Sequence, residues 1–210
     1  MDERIDVRDE RGERTGAVVW KSEAHRRGLW HRCFHCWICT PATDEGGPFL
    51  LAQRRATEKD TWPGRLDVPA AGHLAAGEEP LDGLREFEEE LGLRVDPNRL
   101  VSLGTRRVEL EIPGGLDREF HDVFLLVDGT PPEDFRLQPE EVQAVLRIAL
   151  DDAEALRSVG SAPAREYPAG ASFDTRVGPE DFVPYMDDYL RRVAGAARRV
   201  LGGERPERVF

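Results

Sequence analysis

Positive charge, cysteine and long apolar runs are all scarce in this sequence. Its 41 acidic residues outnumber its 29 basic ones, a formal net charge of −12. A chain without a basic face has little means of holding a nucleic-acid polymer or an anionic membrane non-specifically, so neither is expected as a partner. No stretch approaches the roughly 20 apolar residues of a membrane span. The opening Met1-Asp2-Glu3-Arg4 lacks the charged-then-apolar layout of a secretory signal, and a cytoplasmic location is expected. Cys33, Cys36 and Cys39 are odd in number and crowded together, which excludes a disulfide framework and agrees with a reducing compartment. Internal repeats and low-complexity tracts are absent as well. What remains is 210 residues, 40% of them apolar. That is enough for one soluble domain of about 100–200 residues with a surplus for peripheral elements. Composition leaves open what the acidic excess is for.

Ile5 and Val7, the turn-like Asp9-Glu10-Arg11-Gly12 and the stretch 15–20 read as a β-hairpin. A polar link, 21–28, leads to 29–39, an aromatic and small-apolar run that reads as a buried strand. A turn cluster at 41–48, a short strand at 49–53 and a loop at 62–67 follow. The clearest helix is 79–91, with Pro80 suited to its first turn and Gly92 to the position just past its end. Strands are expected at 100–102, 107–112, 120–127 and 142–149, then a short helix at 151–159 and a loop at 162–177. A longer helix is expected over 179–201, with Phe182, Tyr185, Met186, Tyr189, Leu190 and Val193 at helical spacing; Arg191, Arg192, Arg198 and Arg199 would form its solvated face. The tail, 202–210, should fray. These elements indicate a mixed α and β domain.

On the 79–91 helix, Leu81, Leu84, Phe87 and Leu91 share one face while Glu86, Glu89 and Glu90 gather opposite, with Asp82 and Glu88 at the flanks. Carboxylates at such spacings repel by about 0.2–0.5 kcal/mol per pair. A hard divalent cation repairs this, because Mg²⁺ or Mn²⁺ takes oxygen ligands and one rigid turn can supply two or three. The plainer reading is a solvated acidic face. Context favours the cation, since the glycine-punctuated loop Gly72-His73-Leu74-Ala75-Ala76-Gly77-Glu78 precedes the helix and lets backbone approach a ligand.

Gly72, Glu78 and Arg85-Glu86-Phe87-Glu88-Glu89-Glu90-Leu91-Gly92-Leu93 resemble the Nudix box, a loop–helix–loop motif, at every fixed position. One departure stands out: six residues, Glu79 to Leu84, separate Glu78 from Arg85, one fewer than in the family pattern. The resemblance implies an α+β Nudix fold, an α/β/α sandwich with a mixed β-sheet, the box helix, an N-terminal hairpin and an extra C-terminal helix. The expected division is a hairpin extension over 1–28, the Nudix domain over 29–160 and a C-terminal extension over 161–210. Carried over residue by residue, the resemblance implies a metal held by Glu86, Glu89, Glu90, the carbonyl of Ala71 and Glu119. Glu86 or Glu89 would be the general base, with Glu140 and Glu141 as later-loop alternatives. Gly72, Glu78, Arg85 and Gly92 would shape the box.

The resemblance extends, over most of 1–150, to the subgroup similar to isopentenyl-diphosphate isomerase. It rests on His25, Leu29-Trp30-His31-Arg32, Gln53-Arg54-Arg55, Lys59, Trp62-Pro63-Gly64 and Ala70-Ala71-Gly72-His73. It implies a candidate second metal site from His25, His31, His73 and Asp117 with Glu119. It also implies diphosphate binding by Arg55 and Lys59. Ala71 stands where those isomerases carry a catalytic cysteine, and alanine neither gives nor takes a proton. A Mg²⁺-dependent hydrolase of a small nucleoside-diphosphate-type metabolite is therefore the expected activity, with Mn²⁺ able to substitute. An isomerase-like enzyme on a prenyl diphosphate and a non-catalytic binding module are the alternatives. Trp62 is a candidate stacking surface for a base, although Trp-Pro-Gly also shapes loops, and a homodimer fits the family. Cys33-x2-Cys36-x2-Cys39 invites a zinc or iron–sulfur reading, but strand alternation puts Cys33, His35, Trp37 and Cys39 on one side and Phe34, Cys36 and Ile38 on the other. The three thiols are read as buried strand residues.

Overall fold

The computed structural model describes residues 2–44, 46–185, 187–206 and 208–210. Strand β3, Trp30–Thr40, organises it. Phe34, Cys36 and Ile38 enter one hydrophobic core and Trp37 and Cys39 the other, the alternation its sequence requires. β3 pairs antiparallel with β4, Phe49–Arg55, and with β6, Ala70–His73, and parallel with β8, Gly115–Val127. β8 pairs antiparallel with β7, Val101–Ile112. Beyond β4 lie β9, Val142–Ala149, β10, Ala162–Pro168, and β11, Phe173–Val177, all antiparallel. The N-terminal hairpin of β1, Arg4–Arg8, and β2, Arg14–Trp20, joins through Arg8 opposite Trp30, and the two-residue β5, Leu66–Asp67, pairs with β4.

Helices cover both faces of this mixed sheet. α2, Arg85–Leu91, lies on the face of Phe34 and Ile38, where Phe87 and Leu91 are fully buried. Each such side chain contributes roughly 1.5–3 kcal/mol through burial. α3, Leu150–Val159, and α4, Tyr189–Leu201, pack on the opposite face against Trp37 and Leu50. The chain thus has the expected α+β architecture, an α/β/α sandwich.

Several local expectations are corrected. The link 21–28 is mostly a helix, α1, Lys21–Arg27, which carries His25. The 79–91 helix begins as a 3-10 turn, Pro80–Leu84, and Leu81 is exposed rather than part of the apolar face. A 3-10 turn rises about 2.0 Å per residue against 1.5 Å in an α-helix, so it spans more length with fewer residues and absorbs the missing one. Residues 101–102 and 107–112 belong to one strand, β7, interrupted by a bulge between Ser102 and Gly104. The 162–177 loop is the β10–β11 hairpin, stabilised by pairing along β9 that no local propensity reveals. The 179–201 helix shrinks to α4 after a 3-10 turn, Pro179–Asp181; Phe182 and Tyr185 pack from irregular chain, and Met186 lies outside the described residues. Arg192 leaves the solvated set, stacking over Phe210 at 4.1 Å. The tail does not fray at its end: the Val209 and Phe210 amides both donate to Leu103 O at 2.9 Å.

Candidate functional site

β6 runs directly into the box loop, so its backbone lies under α2. A Cβ on Gly72 would collide with the carboxylate of Glu86, so only glycine lets that carboxylate sit against the strand. Gly92 closes the helix at φ 68°, with its amide donating to Glu88 O at 3.2 Å. Glu86 and Glu90 are buried at 8% and 2% exposure, whereas the Glu89 side chain is 59% exposed. Glu90 Oε2 accepts from Ala71 N and from Gln53 Nε2, each at 3.3 Å. Burial pushes Glu86 up to about 7 and Glu90 up to about 8, and the neighbouring carboxylates add to both rises. Arg85 partly offsets the rise at Glu86. It donates to Glu78 Oε1 at 3.4 Å and His73 O at 2.8 Å, contacts Glu86 and lies 3.4 Å from Glu89 Oε2. The Glu78–Arg85 pairing thus forms despite the shortened box.

A second cluster starts one residue past Gly72. The register sets Cys33 opposite His73 and His31 opposite Glu119, which puts all four side chains on one face of three adjacent strands. His73 Nε2 and His31 Nε2 lie 3.3 and 3.5 Å from Glu119 Oε1, and Cys33 Sγ donates to the same oxygen at 2.8 Å. His25, delivered by α1, and His31 both reach Asp117 Oδ1 at 3.5 Å. The Nε2 atoms of His25, His31 and His73, together with Asp117 Oδ1, are buried without a hydrogen-bond partner. Burial would raise the Glu119 pKa, but His121 first, then His31 and His73, hold it well below the usual carboxylate range. Burial and the Glu119 charge push Asp117 up to about 8, while burial lowers His25 to about 4 and His73 to about 3. Unpartnered lone pairs beside paired carboxylates fit a cation, as do the two buried carboxylates of the box.

Glu90 bonds the Ala71 backbone, Glu86 lies against Gly72, and Glu89 shares Arg85 with Glu86. Glu119 lies among His31, His73 and His121. Lys59 contacts Glu141, and its charge acts on Glu90. Arg55 donates to Asp67 Oδ2 at 3.1 Å and to Thr61 O at 2.9 Å, and its charge acts on Asp117. The two cations therefore flank the two acidic clusters. Trp62, at φ 53°, packs with Val108, Leu110 and Val183. Glu140 is exposed.

Reading the sequence missed Cys33, His121 and Gln53 as members of these clusters. The period-two spacing of His31 with Cys33 and of Glu119 with His121 was the available signal. Nothing local marks Arg106, whose Nη1 lies 3.1 Å from His121 Nδ1 and whose guanidinium makes a two-point contact with Asp187.

Comparison with known proteins identifies the family and the fold. A NUDIX domain model matches residues 10–169. An uncharacterized Nudix hydrolase of Clostridium acetobutylicum is 38% identical over 152 residues, 72% of each chain. An isopentenyl-diphosphate Delta-isomerase of Aliivibrio fischeri is 33% identical over 147 residues, 69% of this chain and 79% of that protein. The crystal structure of DR0079 from Deinococcus radiodurans superposes with a TM-score of 0.58 at 19% identity, covering 94% of this chain and 98% of the other. Among the described residues, no helix is long and apolar enough to cross a membrane.

Proposed function

The chain belongs to the Nudix family, and from that premise we propose that it is a Mg²⁺-dependent hydrolase that cleaves the diphosphate bond of a small nucleoside-diphosphate-type metabolite in the cytoplasm. The observation that carries this reading is the placement of two buried carboxylates, Glu86 and Glu90, against the Ala71-Gly72 backbone. Glu90 is bonded there to neutral donors. Glu86, Glu89, Glu90 and the Ala71 carbonyl would hold Mg²⁺ or Mn²⁺, which when bound would neutralise a diphosphate and lower the pKa of a coordinated water. Glu89, open to solvent, takes the proton of the attacking water; Glu86 is engaged by Arg85, and Glu141 by Lys59. Lys59 and Arg55 supply positive charge to the substrate phosphates. Trp62 walls the loop beside them.

The histidine cluster supports a second reading, an isomerase-like enzyme acting on a prenyl diphosphate, because His31 belongs both to a group with His73 and Glu119 and to one with His25 and Asp117, each close enough to hold a cation. Ala71 argues against it, having no proton to exchange. A binding module without turnover has no physical need for the complete glutamate set. The test is incubation with Mg²⁺ and a panel of nucleoside diphosphates, nucleotide sugars, dinucleotides, coenzyme A and isopentenyl diphosphate. Release of phosphate or nucleotide supports hydrolysis, an isomerised prenyl product supports the second reading, and metal-dependent binding without product overturns both.

A further inference from the structure

We propose that Cys33 is a metal ligand, completing His31, His73 and Glu119 as a four-coordinate site that selects Zn²⁺ over Mg²⁺. This rests on reading the histidine cluster as a cation site, but not on the chemistry at the box helix. His31, Cys33, His73 and Glu119 each offer one ligand atom, and these atoms all lie within 4.8 Å of one another. In a tetrahedral site with Zn–N and Zn–O bonds of about 2.0–2.1 Å, neighbouring ligand atoms stand roughly 3.3–3.4 Å apart. His73 Nε2 and His31 Nε2 lie 3.3 and 3.5 Å from Glu119 Oε1.

The supporting hydrogen bonds aim the ligands inward. His31 Nδ1 is 3.0 Å from Leu29 O, which can only accept, so the neutral ring carries its proton there and turns the Nε2 lone pair into the cluster. That Nε2 is fully buried and unpartnered. Glu119 Oε2 is taken by His121 at 2.6 Å, which commits Oε1 to the cluster. Outer partners of this kind orient metal ligands.

The identity of the ion follows from sulfur. Mg²⁺ demands oxygen ligands, whereas thiolate and imidazole together suit Zn²⁺. On binding, the Cys33 thiol gives its proton to solvent and the thiolate replaces the S–H donor to Glu119 with a bond to the ion. His25 and Asp117 form the adjoining trio with His31 and lie outside the four. The box carboxylates offer oxygen alone, so the two sites sort hard and soft cations between them.

The test uses the full chain stripped with a chelator and titrated with Co²⁺. We expect a sulfur-to-cobalt charge-transfer band that Zn²⁺ abolishes by displacement and Mg²⁺ leaves intact. Cys33→Ser should lose that band and weaken Zn²⁺ binding by at least roughly tenfold, the loss that disturbing even an outer partner produces. Zinc-edge absorption spectroscopy on the unmodified chain, which needs no variant to fold, should find sulfur at about 2.3 Å. A shell of nitrogen and oxygen alone, or an unchanged Co²⁺ spectrum in Cys33→Ser, overturns the role of Cys33. Failure to take up Co²⁺ or Zn²⁺ overturns the metal reading of the cluster as well. Mg²⁺-dependent hydrolysis is scored separately and can survive either result.

Discussion

His121 lies 2.6 Å from Glu119 through Nε2, and its Nδ1 faces the Arg106 guanidinium at 3.1 Å. Arginine only donates, so Nδ1 accepts and the His121 proton sits on Nε2, pointed at Glu119. Arg106 is held in turn by Asp187 at 2.6 and 2.8 Å and stacked over Tyr189 at 4.0 Å. The C-terminal segment therefore sets the orientation of a carboxylate on β8.

Asp187→Ala leaves the buried Arg106 charge without its carboxylate. We expect a loss on the order of 2 kcal/mol, less than the 3–5 of a fully buried pair because the Asp187 side chain is 37% exposed. Urea unfolding measures it. Nitrogen NMR of the His121 ring should show the Nε2–H form giving way to a mixture. Arg157→Ala, which breaks an exposed pair with Asp188, should change stability by less than about 0.5 kcal/mol; equal losses in the two variants would refute the relay.

Glu89→Gln should abolish turnover, by more than about a hundredfold if this carboxylate is the base, with an unchanged unfolding midpoint because the side chain is exposed. Steady-state kinetics on whichever diphosphate is hydrolysed decides it. A wild-type rate would move the base elsewhere, with Glu140 and Glu141 the next to substitute.

Metal-free stability should fall as pH rises from about 6.5 to 8. Glu86, Glu90 and Asp117 have folded pKa values raised to about 7, 8 and 8, so the folded state holds protons that the unfolded state has released. His25 and His73, lowered to about 4 and 3, act oppositely, but their contribution is complete once pH exceeds the unfolded histidine value near 6.5. Thermal melts across this window in chelator test the sign; a rising or flat profile contradicts it.

Added Mg²⁺ should reverse that decline, since a cation bound by the folded state stabilises by about 2.7 kcal/mol at a hundredfold excess over Kd. Glu90→Gln should blunt the effect of Mg²⁺. It should also leave the metal-free protein as stable or more stable at pH 8, because it removes a buried charge.

Gly72→Ala places a methyl where the Glu86 carboxylate sits. A destabilisation of about 1–3 kcal/mol is expected from overpacking, together with loss of the Mg²⁺-dependent rise in melting temperature. Retention of that rise would mean that Glu86 can leave the strand and still bind.

Much of the box was legible because its determinants are local. Glycine spacing, the glutamate pattern and the αL stop at Gly92 all act within one loop and one helix, and β3 declared its two-sided burial through alternation. The 162–177 hairpin was not legible, since it depends on β9 lying alongside to receive it. Nor was α1, a polar seven-residue helix too short to show a period. Met186, part of the expected apolar stripe, lies outside the described residues.

The sequence by itself determined that an acidic helix follows a glycine loop and that a buried strand carries His31 and Cys33 on one face. Only the tertiary structure decided that β6 and β8 flank that strand in a register setting His73 opposite Cys33 and Glu119 opposite His31. It also linked Glu119 to Asp187 through His121 and Arg106. The physical reason is that spacing along a chain is covalent, whereas strand register is chosen by the packing of both cores at once, with β3 and β8 partners such as His31 and Glu119 lying 88 residues apart.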